Sequence, residues 1–235
     1  MIGLYMVGGY PNLVTFKNVY KYLQSLNIDF LEIGIPFNDP VADGPVIAEA
    51  SYKVIGSGIT YREIMDVICA EKIKPTYIMT YANIIYNAGM KNFSNSFKKY
   101  LDGVILADVP NRMHNFFYNE GFDIDIIPFA TPLMRANDLA YMKNLRGNFI
   151  YFISTTGVTG SNIAGLDYLK EKVEMLKSTI LDRKICVGFG IKTKRDYRDA
   201  LVLFDGVIIG TEIVKRQHSL TLLDTYLQGE ILSAT

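Results

Sequence analysis

The chain has 235 residues, 49% of them hydrophobic and 20% charged, a balance that excludes disordered, collagen-like and low-complexity classes. A chain of this length buries roughly 70–75% of its unfolded surface, so a core forms without disulfide or metal staples. The 24 Lys and Arg cancel the 24 Asp and Glu, which removes the broad positive field that nucleic acid or an anionic membrane surface demands. Cys69 and Cys186 form no CxxC pair, and with only His114 and His218 to supplement them no zinc spacing arises. Both cysteines are expected to be buried and reduced, and both histidines to sit at the surface or at helix ends without a catalytic role. The opening MIGLYMVGGYP has no charged leading region and no cleavage site. No window approaches about 20 apolar residues, so a membrane partner is not expected and a cytoplasmic location is.

Short apolar runs alternate with longer segments of helical periodicity, the sign of βαβ units and a parallel sheet. The first strand is expected over 2–7 and a helix from Leu13, capped by Asn12. A second strand over 29–35 precedes helices from Pro45 and from Tyr61, the latter capped by Thr60. Strands over 76–81 and 103–107 follow, with helices from Phe93 and Arg112 capped by Asn92 and Asn111. The remaining strands are expected over 125–129, 148–153, 184–189 and 205–209, and the remaining helices from Ala136, Leu166, Thr193 and Ser219. Asp-Gly-Val-Ile occurs at 102–105 and again at 205–208, an offset that fits four units of about 26 residues each. Eight such units match a (β/α)8 barrel. No linker or charge block divides the chain, so residues 1–235 are expected to form a single TIM-barrel domain.

Barrel chemistry sits at the C-terminal strand ends, and three segments carry polar residues there. In LEIGIPFNDPVADGP, residues 31–45, Glu32 shares the inward parity of Phe30. A buried carboxylate must be paired, protonated or compensated by a substrate; tyrosines or backbone donors would equally satisfy it. Asp39 and Asp43 follow in a Pro-bounded loop, either as turn formers or as partners of Glu32 in acid/base work. YFISTTGVTGSNIAG, residues 151–165, reads as a mobile lid. GFGI at 188–191 and IIGTEIV at 208–214 place glycines where backbone amides and a short helix starting near Gly210 would meet a phosphate without any Lys or Arg.

With these motifs, and with MTYANIIYNAG and ADVP between them in the same order, the chain resembles the tryptophan synthase α-subunit family over nearly its whole length. The resemblance implies a (β/α)8 barrel that splits indole-3-glycerol phosphate into indole and glyceraldehyde 3-phosphate by a retro-aldol step, without a cofactor of its own. Pyridoxal phosphate is implied only for a β-subunit partner, in an α2β2 heterotetramer. It further implies Glu32 and Asp43 as catalytic acids and Tyr151 as the tyrosine that orients Glu32. Gly160, Gly190, Gly210 and Thr211 fall on phosphate-binding positions, and Thr159 in the lid on a contact to the catalytic aspartate. Tyr5, Met79 and Tyr81 fall on the indole pocket, and Asp39 and Pro40 on the loop that meets the β subunit. Departures from the family pattern are Val7 and Thr211, where threonine and serine are common, Thr155, where arginine is common, and a start almost at the first strand, without the family's N-terminal helix. The alternatives are a stand-alone indole-releasing lyase and a catalytically reduced subunit that mainly activates β. A different phosphate-binding barrel, such as an epimerase, is disfavoured by the ADGP loop and by the lack of metal-ligand histidines at strand ends.

Overall fold

The computed structural model describes residues 1–153, 163–188 and 190–234. Strand β1, Ile2–Val7, leads into helix α1, Leu13–Ser25. Asn12 Oδ1 accepts from Thr15 N–H at 2.9 Å, and Phe16, Val19, Tyr20 and Leu23 form the stripe that α1 buries. Strand β2, Phe30–Gly34, is followed by α2, Pro45–Gly56, and α3, Tyr61–Glu71. The start of α3 is a capping box between Thr60 and Glu63. Next come β3, Thr76–Thr80, α4, Ala82–Ala88, α5, Met90–Phe97, and β4, Gly103–Leu106.

A 3-10 turn over Asn111–Met113 leads into α6, His114–Asn119, then β5, Phe129–Ala130, α7, Ala136–Met142, and β6, Phe149–Ile153. The chain finishes with α8, Ile163–Thr179, β7, Lys184–Gly188, α9, Lys194–Leu203, β8, Gly206–Ile209, α10, Thr211–Arg216, and α11, Leu220–Tyr226, which runs into a π-helical turn.

All pairings are parallel, in the order β4-β3-β2-β1-β8-β7-β6-β5. The two edges meet through Val104, which bridges to Ile126: Val104 N–H donates to Asp125 O at 2.8 Å and Ile127 N–H to Val104 O at 2.9 Å. The (β/α)8 barrel expected from the alternation is therefore the observed fold. Leu31 and Ile33 face the helices, whereas Phe30 points into the barrel and packs among Tyr5, Tyr77, Phe149 and Tyr151. That is the inward parity expected for Glu32. The lower interior is an aromatic plug: Phe30, Tyr77 and Phe149 hold their ring centroids 5.2–5.3 Å apart. Glycines on neighbouring strands make room for it, since a Cβ on Gly3 would stand 2.2 Å from Phe30 Cζ.

Several expected boundaries shift, each for a local reason. The fifth strand was expected over 125–129, but residues 125–127 pair with β4 and only Phe129–Ala130 pair with β6. Pro128, lacking an N–H, interrupts the ladder between them. The helix expected from Phe93 starts at Met90, so Asn92 lies inside it, and α4 precedes it unforeseen; Gly89, at φ 80, separates the two. Asn111 caps no helix. Its side chain accepts from Phe129 N–H at 3.0 Å and donates to Phe129 O at 2.8 Å, standing in for a strand partner. His114 is 1% exposed at the start of α6, not at the surface, and its pKa is pushed down to about 4 by burial, while His218 is exposed. Cys186 is buried as expected; Cys69 is only half-buried.

The plug carries a stability consequence. Phe149→Ala removes a ring packed against two others and should cost about 3–5 kcal/mol, read as a lower urea midpoint with an unchanged slope.

Candidate active site

At the mouth of the barrel, β1 and β2 place Tyr5 directly opposite Glu32, and β6 places Tyr151 opposite Phe129 and Cys186. Both tyrosines are buried, and two glycines make their positions possible. A Cβ on Gly34 would lie 2.0 Å from the Tyr5 hydroxyl, and one on Gly188 2.2 Å from the Tyr151 hydroxyl. Neither glycine has a positive φ; close approach of a side chain requires them. Burial, more than neighbouring acids, holds both phenols well above their ordinary pKa, so they remain neutral.

A cleft of about 660 Å³, counting its open mouth, lies above these tyrosines. Seven of the residues expected from the sequence line it: Tyr5, Asp43, Met79, Tyr151, Gly190, Gly210 and Thr211. Its wall is apolar at Ile47, Met79 and Ile208, and its glycines cluster at the ends of β7 and β8. Gly210 is the N-cap of α10, and its carbonyl accepts from Ile213 and Val214 N–H. The N–H groups of Thr211 and Glu212 therefore have no partner within the helix.

The two acids occupy different environments. Glu32 is 0% exposed, and neither carboxyl oxygen has a hydrogen-bond partner among the described residues. Desolvation pushes its pKa up to about 8, with the Asp43 charge adding to the shift. Asp43 sits at the cleft wall, where partial burial raises its pKa to about 6 against the opposing pull of a hydrogen bond from Tyr81. Near pH 7 Glu32 is a neutral acid and Asp43 a carboxylate. Environments that drive two carboxyl pKa values apart are what acid/base chemistry requires.

The Asp43 loop is fixed from a neighbouring unit. Tyr81 Oη accepts from Ala42 N–H at 3.1 Å and donates to Asp43 Oδ2 at 3.4 Å, while its ring stacks on Phe37 at 4.6 Å. Asp43 N–H donates to Pro40 O, and Val41 N–H to Asp39 O. Asp39 is exposed and Pro40 buried.

Four expectations are met differently in the structure or fall outside the described residues. Tyr81, expected on the indole pocket, is not among the residues lining the cleft and bonds Asp43. Tyr151, expected to orient Glu32, makes no hydrogen bond to it, and its hydroxyl lies over Gly188. Glu32 itself is fully buried beside Tyr5 and is outside the lining of the open cleft. Thr155, Thr159 and Gly160 lie outside the described residues. Unforeseen lining residues are Gly44, Ile47, Ile191, Lys192 and Ile208. The inward parity of Ile208 on β8 was available from the sequence; Ile47 and Lys192 lie just beyond motifs, where no pattern marks them.

The model of the tryptophan synthase alpha chain family matches residues 2–229. The chain belongs to that family. A tryptophan synthase alpha chain from Petrotoga mobilis is 32% identical over 217 residues, covering 90% of this chain and 84% of its own. The alpha chain from Staphylococcus haemolyticus is 38% identical over 209 residues, covering 85% and 84%. Among solved structures, the tryptophan synthase alpha subunit from Campylobacter jejuni superposes with a TM-score of 0.87 at 28% identity, covering 98% of this chain and 94% of its own. A structure of the tryptophan synthase a2b2 complex from Pyrococcus furiosus matches at 0.85 and 26%, covering 99% and 97%. No group of His, Cys, Asp or Glu suited to a metal ion occurs among the described residues of this family member.

The raised pKa of Glu32 has a sign that can be checked. Between pH 4.5 and about 8 the unfolded chain is ionised at this position while the folded chain keeps its proton, so stability falls as pH rises and the loss is complete above about 8. Glu32→Gln does not titrate. Its stability advantage over the wild type should grow across that window, toward about 4–5 kcal/mol at most, and then level off, as measured by urea unfolding at stepped pH.

Proposed function

We propose that the chain, read as a single barrel domain over 1–235, is a lyase that splits indole-3-glycerol phosphate into indole and glyceraldehyde 3-phosphate in the closing steps of tryptophan biosynthesis. The observation that carries this reading is the placing of a fully buried Glu32 on β2 and of Asp43, on the loop after it, at the wall of an apolar cleft. Membership of the tryptophan synthase alpha chain family supports it.

The carbon–carbon bond between the ring and the glycerol side chain breaks only after the indole becomes an indolenine. Glu32 delivers its proton to ring carbon 3, and positive charge develops at the ring nitrogen. Asp43 accepts the hydrogen bond of that N–H and stabilises the charge. The Glu32 carboxylate then takes the proton of the side-chain hydroxyl as the bond breaks. The bonding electron pair returns to the ring, and the hydroxyl carbon departs as the aldehyde. Glu32 ends protonated, as it began, and a carboxyl with a pKa near 8 is suited to both transfers. Tyr5 and Met79 flank the ring, Tyr151 shapes the floor on which Glu32 acts, and Gly190, Gly210 and Thr211 receive the phosphate through backbone amides.

No cofactor is needed for these steps; pyridoxal phosphate belongs to a β-subunit partner. A β subunit, in an α2β2 arrangement, is supported by the loop that carries exposed Asp39 and a Val41 that is 77% exposed. A cytoplasmic location accords with two free cysteines; among the described residues, no helix is long and apolar enough to cross a membrane.

Purified chain incubated with indole-3-glycerol phosphate should release indole, faster when a β subunit is present. Release that requires no β subunit favours the stand-alone lyase, and none in either case favours the activating subunit. Glu32→Gln should lower kcat by about 10²–10⁴-fold, and a fully active Gln variant removes Glu32 from the mechanism. Asp43→Asn keeps the loop's hydrogen-bonding shape but loses the charge, and should lower kcat with a smaller effect on KM.

A further inference from the structure

We infer that Lys192 supplies the positive charge for the phosphate end of the cleft and thereby sets the enzyme's preference for a phosphorylated substrate. This rests on the reading of the β7 and β8 ends as the phosphate-binding pole.

Lys192 and Asp43 are the charged residues lining the cleft. Lys192 follows Gly190 and Ile191 on the loop after β7, and the same lining holds Gly210 and Thr211 after β8. The backbone of Lys192 is fixed on both sides: its N–H donates to Asp196 Oδ2 at 3.0 Å and its carbonyl accepts from the Tyr226 hydroxyl at 2.9 Å. Its exposed side chain is joined to no acid among the described residues.

The other cations of this rim are committed elsewhere. Lys194 Nζ donates to Ser233 O and Oγ, Arg195 faces Asp199, and Lys215 and Arg216 both pair with Glu212. Among the described residues, Lys192 is therefore the lysine of the cleft lining that no acid holds, and it shares that lining with Gly190 and Gly210. A phosphate dianion entering a cleft that already holds the Asp43 carboxylate meets repulsion from it. A cation at the far pole offsets that repulsion, and a flexible ammonium suits a phosphate as a point charge. The backbone amides alone give shape without net charge, so removing the lysine should spare orientation and weaken capture.

The test uses the full chain with Lys192→Gln and Lys192→Arg, assayed with indole-3-glycerol phosphate and its dephosphorylated analogue over a range of salt concentrations. Binding of glycerol 3-phosphate is followed separately by thermal protection. Lys192→Gln should raise KM for the phosphorylated substrate by roughly 5- to 50-fold with kcat nearly unchanged. It should also flatten the dependence of KM on salt, weaken thermal protection by glycerol 3-phosphate, and leave the dephosphorylated analogue unaffected. Lys192→Arg should restore most of each effect. If the wild type binds glycerol 3-phosphate and cleaves substrate while Lys192→Gln matches it in KM and in salt response, the assignment of Lys192 is wrong and the proposed function stands. If the wild type neither binds glycerol 3-phosphate nor cleaves substrate, the reading of the pole itself fails, and this inference with it.

Discussion

Withdrawal of one carboxyl from water governs the rest of the site. A barrel interior packed with Phe30, Tyr77, Phe149 and the two mouth tyrosines offers Glu32 no solvent and no hydrogen-bond donor among the described residues. The folded state tolerates it by keeping it neutral, at a cost that the surrounding apolar burial must offset. The same desolvation that weakens the fold gives the group a proton to donate near neutral pH. Asp43, at the cleft wall, is raised less, so one gradient of burial separates two chemically similar side chains into a weaker and a stronger acid.

This gradient depends on how the surrounding chain is held. Tyr81, at the end of β3, ties the loop after β2 by bonding both Ala42 and Asp43. Asn111 closes the seam beside β5 by presenting its amide to both backbone groups of Phe129. Gln217 does the same at the opposite seam, beyond the point where β1 and β8 stop pairing. Its Oε1 accepts from Val7 N–H at 3.0 Å, and its Nε2 donates to Val7 O at 2.6 Å and Tyr10 O at 2.8 Å. Side-chain amides thus complete the ladder where strands are too short, satisfying backbone groups that burial would otherwise leave orphaned.

What could be read from the amino-acid sequence divides along physical lines. The βαβ alternation and the inward parity of Glu32 come from periodicities of two and 3.6 residues, which the chain displays locally. The capping boxes at Thr60 and Thr193 are equally local. Pro128 splitting the fifth strand was legible in principle, since a missing N–H is a property of the residue itself. The roles of Tyr81, Asn111 and Gln217 were not, because each joins segments separated by 18 to 210 residues. The lining positions of Ile47 and Lys192 likewise follow from where loops come to rest after the barrel closes. The hydroxyl of Tyr151 packs over Gly188, a contact between neighbouring strands that no spacing along the chain encodes.

The seam at Gln217 limits how the protein can diversify. One Nε2 reaches both Val7 O and Tyr10 O, so it acts as a ruler across the segment between them. Adding or deleting a residue there would unhitch one of the two carbonyls, at the larger cost where it is that of Val7, which is buried. A change of length in the connection after β1 therefore costs the protein one of the hydrogen bonds that tie it to the end of α10.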